Sequence, residues 1–370
     1  MAYFIGVMSG TSLDAIDVAL CDITSDSMHT LAFTSTKFEP ELYAKLTVLC
    51  TRPIQHLENI GHTQELLAVA YANAINRILA ETGIQAHDIV AIGCHGQTVW
   101  HAPNHSTPFT WQLLNPAKLA ALTQIAVVSD FRAKDMAYGG QGAPLVPPFH
   151  HWLFKSLPAN IENRVLVNIG GIANVSIFDK DTLLAGFDVG PGNTLLDVWY
   201  QRHNLHMYDK DGTWAAEGEC QSSLLEAMLG DAYFAKSAPK STGREYFNLG
   251  WIERYLGEHV FKPVDVQHTL SVLTAKSIID AVQLYTHTNP TELLICGGGI
   301  HNLTLLEDLS HLLPSSMRIS LLSDLGYDPD AIEAMAFAWL AFCHDAQIPS
   351  NAPILTGAQK PLVLGCKTDY

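Results

Sequence analysis

The sequence predicts an α/β fold in two related halves, and three observations carry that prediction. A strand-turn-strand unit at the start of the chain returns near its middle. A buried strand running into a glycine-rich turn follows each copy at a comparable distance. Segments with apolar residues at helical spacing separate the strands, as α/β layers require. At 370 residues the chain is longer than one ordinary domain, and 48% hydrophobic against 16% charged residues gives it a large core. That balance excludes a disordered or fibrous protein.

Taken in order, Tyr3 to Met8 reads as a strand, Ser9-Gly10-Thr11-Ser12 as a polar turn, and Ala15 to Cys21 as the returning strand of a hairpin. The mid-chain counterpart is Val165 to Ile169, a Gly170-Gly171 turn, Ile172 to Phe178, and a further apolar run from Leu183 to Phe187. Ile89 to Gly96 then matches Leu293 to Gly299 as a strand ending in a glycine-rich turn. Helical spacing covers Gln64 to Glu81, Thr194 to His203, Ser271 to Tyr285 and Ala331 to His344. The recurrence fits a duplication, and it also fits chance repetition of short patterns. Pro144 to Pro148 is the expected linker.

Twenty-one basic against 37 acidic residues leave a net charge of −16, with neither sign in a long run, which argues against nucleic acid and against an anionic membrane surface as partners. No basic segment opens the chain, Asp14 and Asp17 interrupt its first apolar stretch, and no run of roughly 18 apolar residues could span a bilayer. The seven cysteines are scattered, odd in number and never in a C-x-x-C pair, as expected of reduced thiols in a cytoplasmic protein.

The chain has no G-x-x-x-x-G-K-[ST], so a P-loop is excluded, and its histidines form no H-E-x-x-H or similar metal pattern. Turns rich in Ser, Thr and Gly can still offer backbone N–H groups and hydroxyls to phosphate, although one such turn alone is an ordinary hairpin tip. Here four recur at strand ends: Ser9 to Ser12, Gly170-Gly171, Gly190 to Asn193 and Gly297 to Gly299. Ligands of α/β folds bind at strand ends. Asp188, between Phe187 and Val189-Gly190, suits a general base and equally an Asx turn. Glu333 stands three residues after Asp330, the spacing of a capping box, and is also a candidate catalytic carboxylate. Arg132 could clamp an anionic substrate or pair with Asp130 or Asp135.

Several longer motifs carry a resemblance: Phe4 to Asp14, His95-Gly96-Gln97-Thr98, Asp130-Phe131-Arg132, Gly139 to Pro147, Asn168 to Asn174, Asp188 to Asn193, Ser241-Thr242-Gly243-Arg244-Glu245, Cys296 to Gly299 and Glu333 to Trp339. In these the chain closely resembles the anhydro-N-acetylmuramic acid kinases, of the sugar kinase, heat-shock chaperone and actin superfamily, over nearly its whole length. The resemblance implies two related actin-like (ribonuclease H-like) domains with an interdomain nucleotide cleft. Their expected extents are 1–130, completed by 345–370, and 131–344.

It further implies ATP and Mg²⁺ as cofactors, with no metal ligand assigned. The first phosphate hairpin would be Gly10, Thr11, Ser12, Leu13, Asp14, Ala15, Ile16 and Asp17. The second would use Asn168, Gly170 and Gly171, with Gly190, Gly192 and Asn193, and the adenosine turn would be Gly297, Gly298 and Gly299. Family chemistry implies that water attacks the anomeric carbon of 1,6-anhydro-N-acetylmuramic acid and that the freed O6 takes the γ-phosphate, as part of peptidoglycan recycling. Asp188 matches the family's general base and Glu333 a second carboxylate near the sugar, while Gln97, Thr98 and Arg132 are the expected substrate contacts. A homodimer is left open. The family usually has Gly where this chain has Ala15, a position that would be strained if it needed a positive φ. Two rivals are a glycoside hydrolase using the two carboxylates without nucleotide, and an actin- or chaperone-like ATPase.

Overall fold

A computed structural model describes residues 2–10, 13–52, 54–155, 163–180, 182–238, 240–286 and 290–370. Its strands, in chain order, are β1 (Tyr3–Met8), β2 (Ile16–Ile23), β3 (Met28–Thr36), β4 (Ile89–Cys94), β5 (Gln97–Ala102), β6 (Phe109–Leu113), β7 (Val127–Ser129), β8 (Asn163–Ile169), β9 (Ile172–Asp179), β10 (Thr182–Pro191), β11 (Thr291–Cys296), β12 (Met317–Leu321) and β13 (Cys366–Thr368). The chain divides into two compact units, Met1–Leu157 with Ala331–Tyr370, and Pro158–Asp330.

In the first unit the sheet runs β13-β7-β4-β1-β2-β3. β1, β2 and β3 form an antiparallel meander, and β4 joins β1, then β7 joins β4, in parallel. β1 and β4 are apolar almost throughout because both their faces are covered, as central parallel strands must be. Helix Leu57–Thr82 lays Leu67, Tyr71, Ile75 and Ile78 into that core and stops at Gly83, whose φ of 73° suits a residue without a Cβ. Helix Ile332–Asp345 packs so closely on the sheet that a Cβ added to Gly6 would lie 1.7 Å from the Ala334 carbonyl oxygen, and one on Gly93 1.9 Å from that of Phe337.

The second unit repeats the plan with the order β10-β9-β8-β11-β12. Again three antiparallel strands come first, and two parallel strands extend the sheet from the first of them. β11 thus occupies the place of β4, which settles the recurrence as a repeated topology. Helix Pro263–Thr286 buries Ala275, Ile278, Ile279 and Val282 against this sheet. A satellite core of Leu196, Trp199, Tyr233, Phe247 and Trp251 lies beside it.

The unit boundaries correct the expected division at 130 and 344. Helix Ile332–Asp345 belongs to the first unit because its small residues seat it on the glycines of β1 and β4. Pro144 to Pro148 is no linker either. Pro147 opens a helix, Pro147–Phe154, inside the first unit, where a proline's fixed φ and missing N–H are tolerated. No described helix is long and apolar enough to cross a membrane, and the seven cysteines form no disulfide among the described residues.

Candidate active site

In the first unit the tip between β1 and β2 is braced from below. Ser9 is buried and donates from Oγ to Gln97 Oε1 at 2.8 Å, so the 2.6 Å bond between its Oγ and Tyr71 Oη has the phenol as donor. Gln97 Nε2 donates to the Gly10 carbonyl at 3.2 Å. Gln97 is fully buried, which corrects its expected role as a sugar contact: its amide is occupied in holding the turn. Exchange of Gln97 for Leu is expected to cost about 1–3 kcal/mol, because Ser9 Oγ is left without its acceptor in the core. A fall in the urea midpoint at constant m checks this, and an unchanged midpoint would remove the brace.

Beyond the tip, Leu13 N–H donates to the Gly10 carbonyl at 3.1 Å, closing a turn in which Leu13 takes φ of 60°. Ala15 is not among the residues with positive φ, so alanine there carries no such strain. Leu13 and Ile16 put their side chains into the core, which leaves only their backbone to meet a ligand, while Asp14 is exposed. Thr11 and Ser12 lie outside the described residues.

A second group in this unit centres on Arg132. Its Nε donates to His95 Nε2 at 3.0 Å and its Nη1 to the Gly142 carbonyl at 2.8 Å. Because a guanidinium can only donate, His95 Nε2 must carry a lone pair, and the imidazole is neutral. Burial, and then the Arg132 charge, hold His95 well below the usual histidine range. The ring also packs against Phe337 at 4.9 Å between centroids. Arg132 pairs with neither Asp130 nor Asp135. Asp135 is fully buried and accepts instead from Gly142 N–H, Asn351 Nδ2 and Thr356 Oγ1, each at 2.9 Å.

The charge that Arg132 meets is Glu333. Burial lowers the Arg132 pKa to about 10 and Glu333 partly restores it. Burial likewise raises the Glu333 carboxyl, the Asp17 carboxylate adds to the rise, and Arg132 opposes both. No capping box forms: the helix begins at Ile332, its N-cap Ala331 makes no side-chain bond, and Asp330 lies outside it. Of the other expected contacts, Thr98 is half-buried on β5 and its Oγ1 accepts from Gln112 Nε2 at 3.3 Å.

In the second unit Asp188 sits on β10 where the β9 register slips between Asp188 and Gly190, a bulge of the kind that re-aims side chains. It forms no Asx turn. Its Oδ2 accepts the Thr242 N–H at 3.0 Å, its own N–H donates to the Lys240 carbonyl at 3.1 Å, and its carbonyl accepts from Tyr233 Oη at 2.7 Å. Burial pushes the carboxyl up to about 6, the Thr242 N–H pulls it down, and Glu245 pushes it up again. Thr242, Glu245 and Tyr233 were not singled out among the sequence's site residues. The signal for the first two was the motif Ser241 to Glu245, and for Tyr233 there was none.

Three glycine turns interlock beside this carboxylate's strand. The N–H groups of Gly192 and Thr194 donate to the Gly171 carbonyl, and that of Asn193 to Gly170, at 2.8–3.0 Å. A Cβ on Gly192 would lie 2.3 Å from the Gly170 oxygen, and one on Gly297, whose φ is 79°, 2.3 Å from Asn168 Oδ1. Asn193 Nδ2 donates to the Ile169 carbonyl at 3.3 Å. Asn168, Gly170, Gly171, Gly192, Asn193 and Gly297 therefore lie together at the strand ends. Gly190 and Gly299 pack instead on Phe234 and Ile169, whereas Gly298 is exposed with nothing within 4 Å of a built Cβ.

Two units that share a five-strand order, to which the first adds β13, each with a glycine-containing hairpin tip, define a duplicated α/β protein. The profile of the family "Anhydro-N-acetylmuramic acid kinase" matches residues 2–369. The chain is 44% identical to the anhydro-N-acetylmuramic acid kinase of Aliivibrio fischeri over 99% of this chain and 98% of that protein. It is also 44% identical to that of Haemophilus influenzae, over 98% and 97%. Among solved structures it is similar to the activator of 2-hydroxyisocaproyl-CoA dehydratase from Clostridium difficile, at 12% identity and a TM-score of 0.45 over 93% of this chain and 96% of that one. The chain belongs to the anhydro-N-acetylmuramic acid kinase family.

Proposed function

We propose that the protein is an ATP-dependent kinase that opens the 1,6-anhydro ring of 1,6-anhydro-N-acetylmuramic acid and phosphorylates O6, giving N-acetylmuramic acid 6-phosphate and ADP in cell-wall recycling. The observation that carries this reading is Asp188 in a chain of this family: a half-buried carboxylate with a pKa of about 6, oriented by the Thr242 N–H. Asp188 takes a proton from water as the water oxygen bonds to the anomeric carbon, since neutral water is a poor nucleophile. The bond from that carbon to O6 breaks, and O6 then bonds to the γ-phosphorus of ATP as the bond to the ADP oxygen breaks. The balance is sugar, water and ATP to sugar phosphate, ADP and a proton.

The Gly170-Gly171 turn and the exposed Gly298 are the second unit's fit to a nucleotide, because close backbone approach is what phosphate and adenosine need there. Mg²⁺ carried on ATP would neutralise phosphate charge, and since it keeps several waters, one or two carboxylates such as Asp17 suffice to hold it. Glu333 orients the sugar in the first unit, and Arg132, already fixed by His95 and Gly142, has donors left for the lactyl carboxylate. Replacing Arg132 by Lys keeps the charge and loses the fork, so the sugar KM is expected to rise roughly tenfold, about one charge-assisted hydrogen bond, with the ATP KM unchanged in initial-rate measurements.

The test of the function is mass spectrometry of the product formed from 1,6-anhydro-N-acetylmuramic acid, ATP and Mg²⁺ in ¹⁸O-labelled water. One label at the anomeric oxygen of a sugar 6-phosphate is the expected outcome. Ring opening without ATP would replace the kinase by a hydrolase, and ATP turnover with the sugar intact would leave only an ATPase.

A further inference from the structure

The Gly171 turn is faced by two polar groups that have no work to do inside the protein. A Cβ built on Gly171 would meet Thr194 Oγ1 at 2.9 Å and the Arg244 guanidinium at 3.2 Å from Nη2 and 3.4 Å from Nε, so hydroxyl and guanidinium converge on one spot beside the turn. Thr194 is only 9% exposed, yet its Oγ1 has no hydrogen-bond partner among the described residues. A buried hydroxyl left unpaired is costly, and beside a guanidinium it adds a second donor suited to one anionic acceptor. The Arg244 guanidinium makes no ion pair or hydrogen bond with any described residue. Its backbone belongs to the segment Ser241 to Glu245, whose Thr242 N–H holds Asp188. One short segment therefore orients the base and sets a planar, permanently charged group over the adjacent turn.

We infer that Arg244 is a further catalytic residue, which grips the transferring γ-phosphoryl group with Thr194 Oγ1 as a second donor. This rests on the reading above of the Gly170-Gly171 turn as a phosphate turn. A phosphoryl group in flight spreads negative charge over three oxygens, and a guanidinium offers paired N–H donors that match two of them. Absence of a side chain at Gly171 is what leaves room for both donors: any Cβ there would occupy the place of the phosphate oxygens.

Initial rates of sugar phosphate formation by Arg244→Ala, Arg244→Lys and Thr194→Val test this. Arg244→Ala is expected to lower kcat by about 10²–10³, with the sugar KM within threefold of the parent and the acid limb of the pH profile still near 6, so that Asp188 is undisturbed. Arg244→Lys recovers only part of the rate, and guanidinium ion added to Arg244→Ala restores activity in a saturable way, which loss of a merely structural residue would not allow. Thr194→Val keeps the side-chain shape and is expected to lower kcat about tenfold, the worth of one hydrogen bond. A kcat of Arg244→Ala within threefold of the parent overturns the inference while leaving the kinase reading intact. A loss confined to the sugar KM also overturns it and makes the ligand a sugar carboxylate. If the parent protein itself makes no sugar phosphate, the kinase reading fails and this inference falls with it.

Discussion

Exchange of Asp188 for Asn is expected to lower kcat by about 10²–10⁴ while the protein stays folded, because a positioned general base contributes that much and amide and carboxylate have the same shape. The Asn oxygen can still accept the Thr242 N–H, so the local geometry survives and only the proton acceptor is lost. The pH dependence carries the same argument with its own sign. Asp188 works only when ionised, and burial, helped by Glu245 and opposed by Thr242, raises it to about 6. The value of kcat/KM should therefore be level above pH 6 and fall about tenfold for each unit below it, whereas an unperturbed aspartate would hold the rate down to about 4. Removing the Glu245 charge as Gln takes away a contribution that raises the carboxyl, so this limb should move to lower pH. An acid limb near 4 in the parent, or a variant at position 188 within a few-fold of the parent, would take the base role from this residue.

Gly6→Ala is expected to be among the most damaging single substitutions for stability. Gly6 and Gly93 face each other as register partners on β1 and β4, and each would drive a Cβ within 2 Å of a backbone oxygen of helix Ile332–Asp345. A backbone carbonyl in a helix cannot swing aside as a side chain can, so either the helix lifts off the sheet or the strand bends. Overpacking usually costs about 1–3 kcal/mol, and the rigidity of both partners puts this case at or above the upper end. The urea midpoint should drop accordingly. Any folded fraction should show a raised sugar KM as well, since Glu333 rides on the first turn of the displaced helix. An unchanged midpoint would mean that the helix sits further from the sheet.

The repeated topology was legible because hairpins, buried strands and helical spacing are local patterns: Tyr3–Met8 falls where its apolar run places it, and Ile172–Asp179 within one residue. Where the two units divide was not legible, because the decisive contact joins Gly6 to Ala334 across most of the chain, and nothing in either segment alone shows it. Among site residues, Asp188 and Glu333 each had a local alternative, an Asx turn and a capping box. Both alternatives failed for reasons visible only in three dimensions: Thr242 comes from a distant segment, and the helix starts after Asp330. Gln97 shows the opposite error, a motif residue that serves the turn beneath the site. His95 entered only as the first residue of the motif His95 to Thr98, and its part in fixing Arg132 depends on a bond spanning 37 positions.

The return of residues 331–370 to the first unit sets an order on synthesis. As the chain leaves the ribosome, β1 and β4 emerge early, but the helix that covers their paired glycines comes out only after the whole second unit. Nascent chains fold domain by domain, N-terminal parts first. Here the second unit is the first that can finish, because its sheet and helices are contiguous, while the earlier-born sheet waits with one apolar face open to water or to a chaperone. Until Glu333 arrives with its helix, a cell therefore holds a chain that has Asp188, the base we propose, in place but lacks the carboxylate we assign to the sugar.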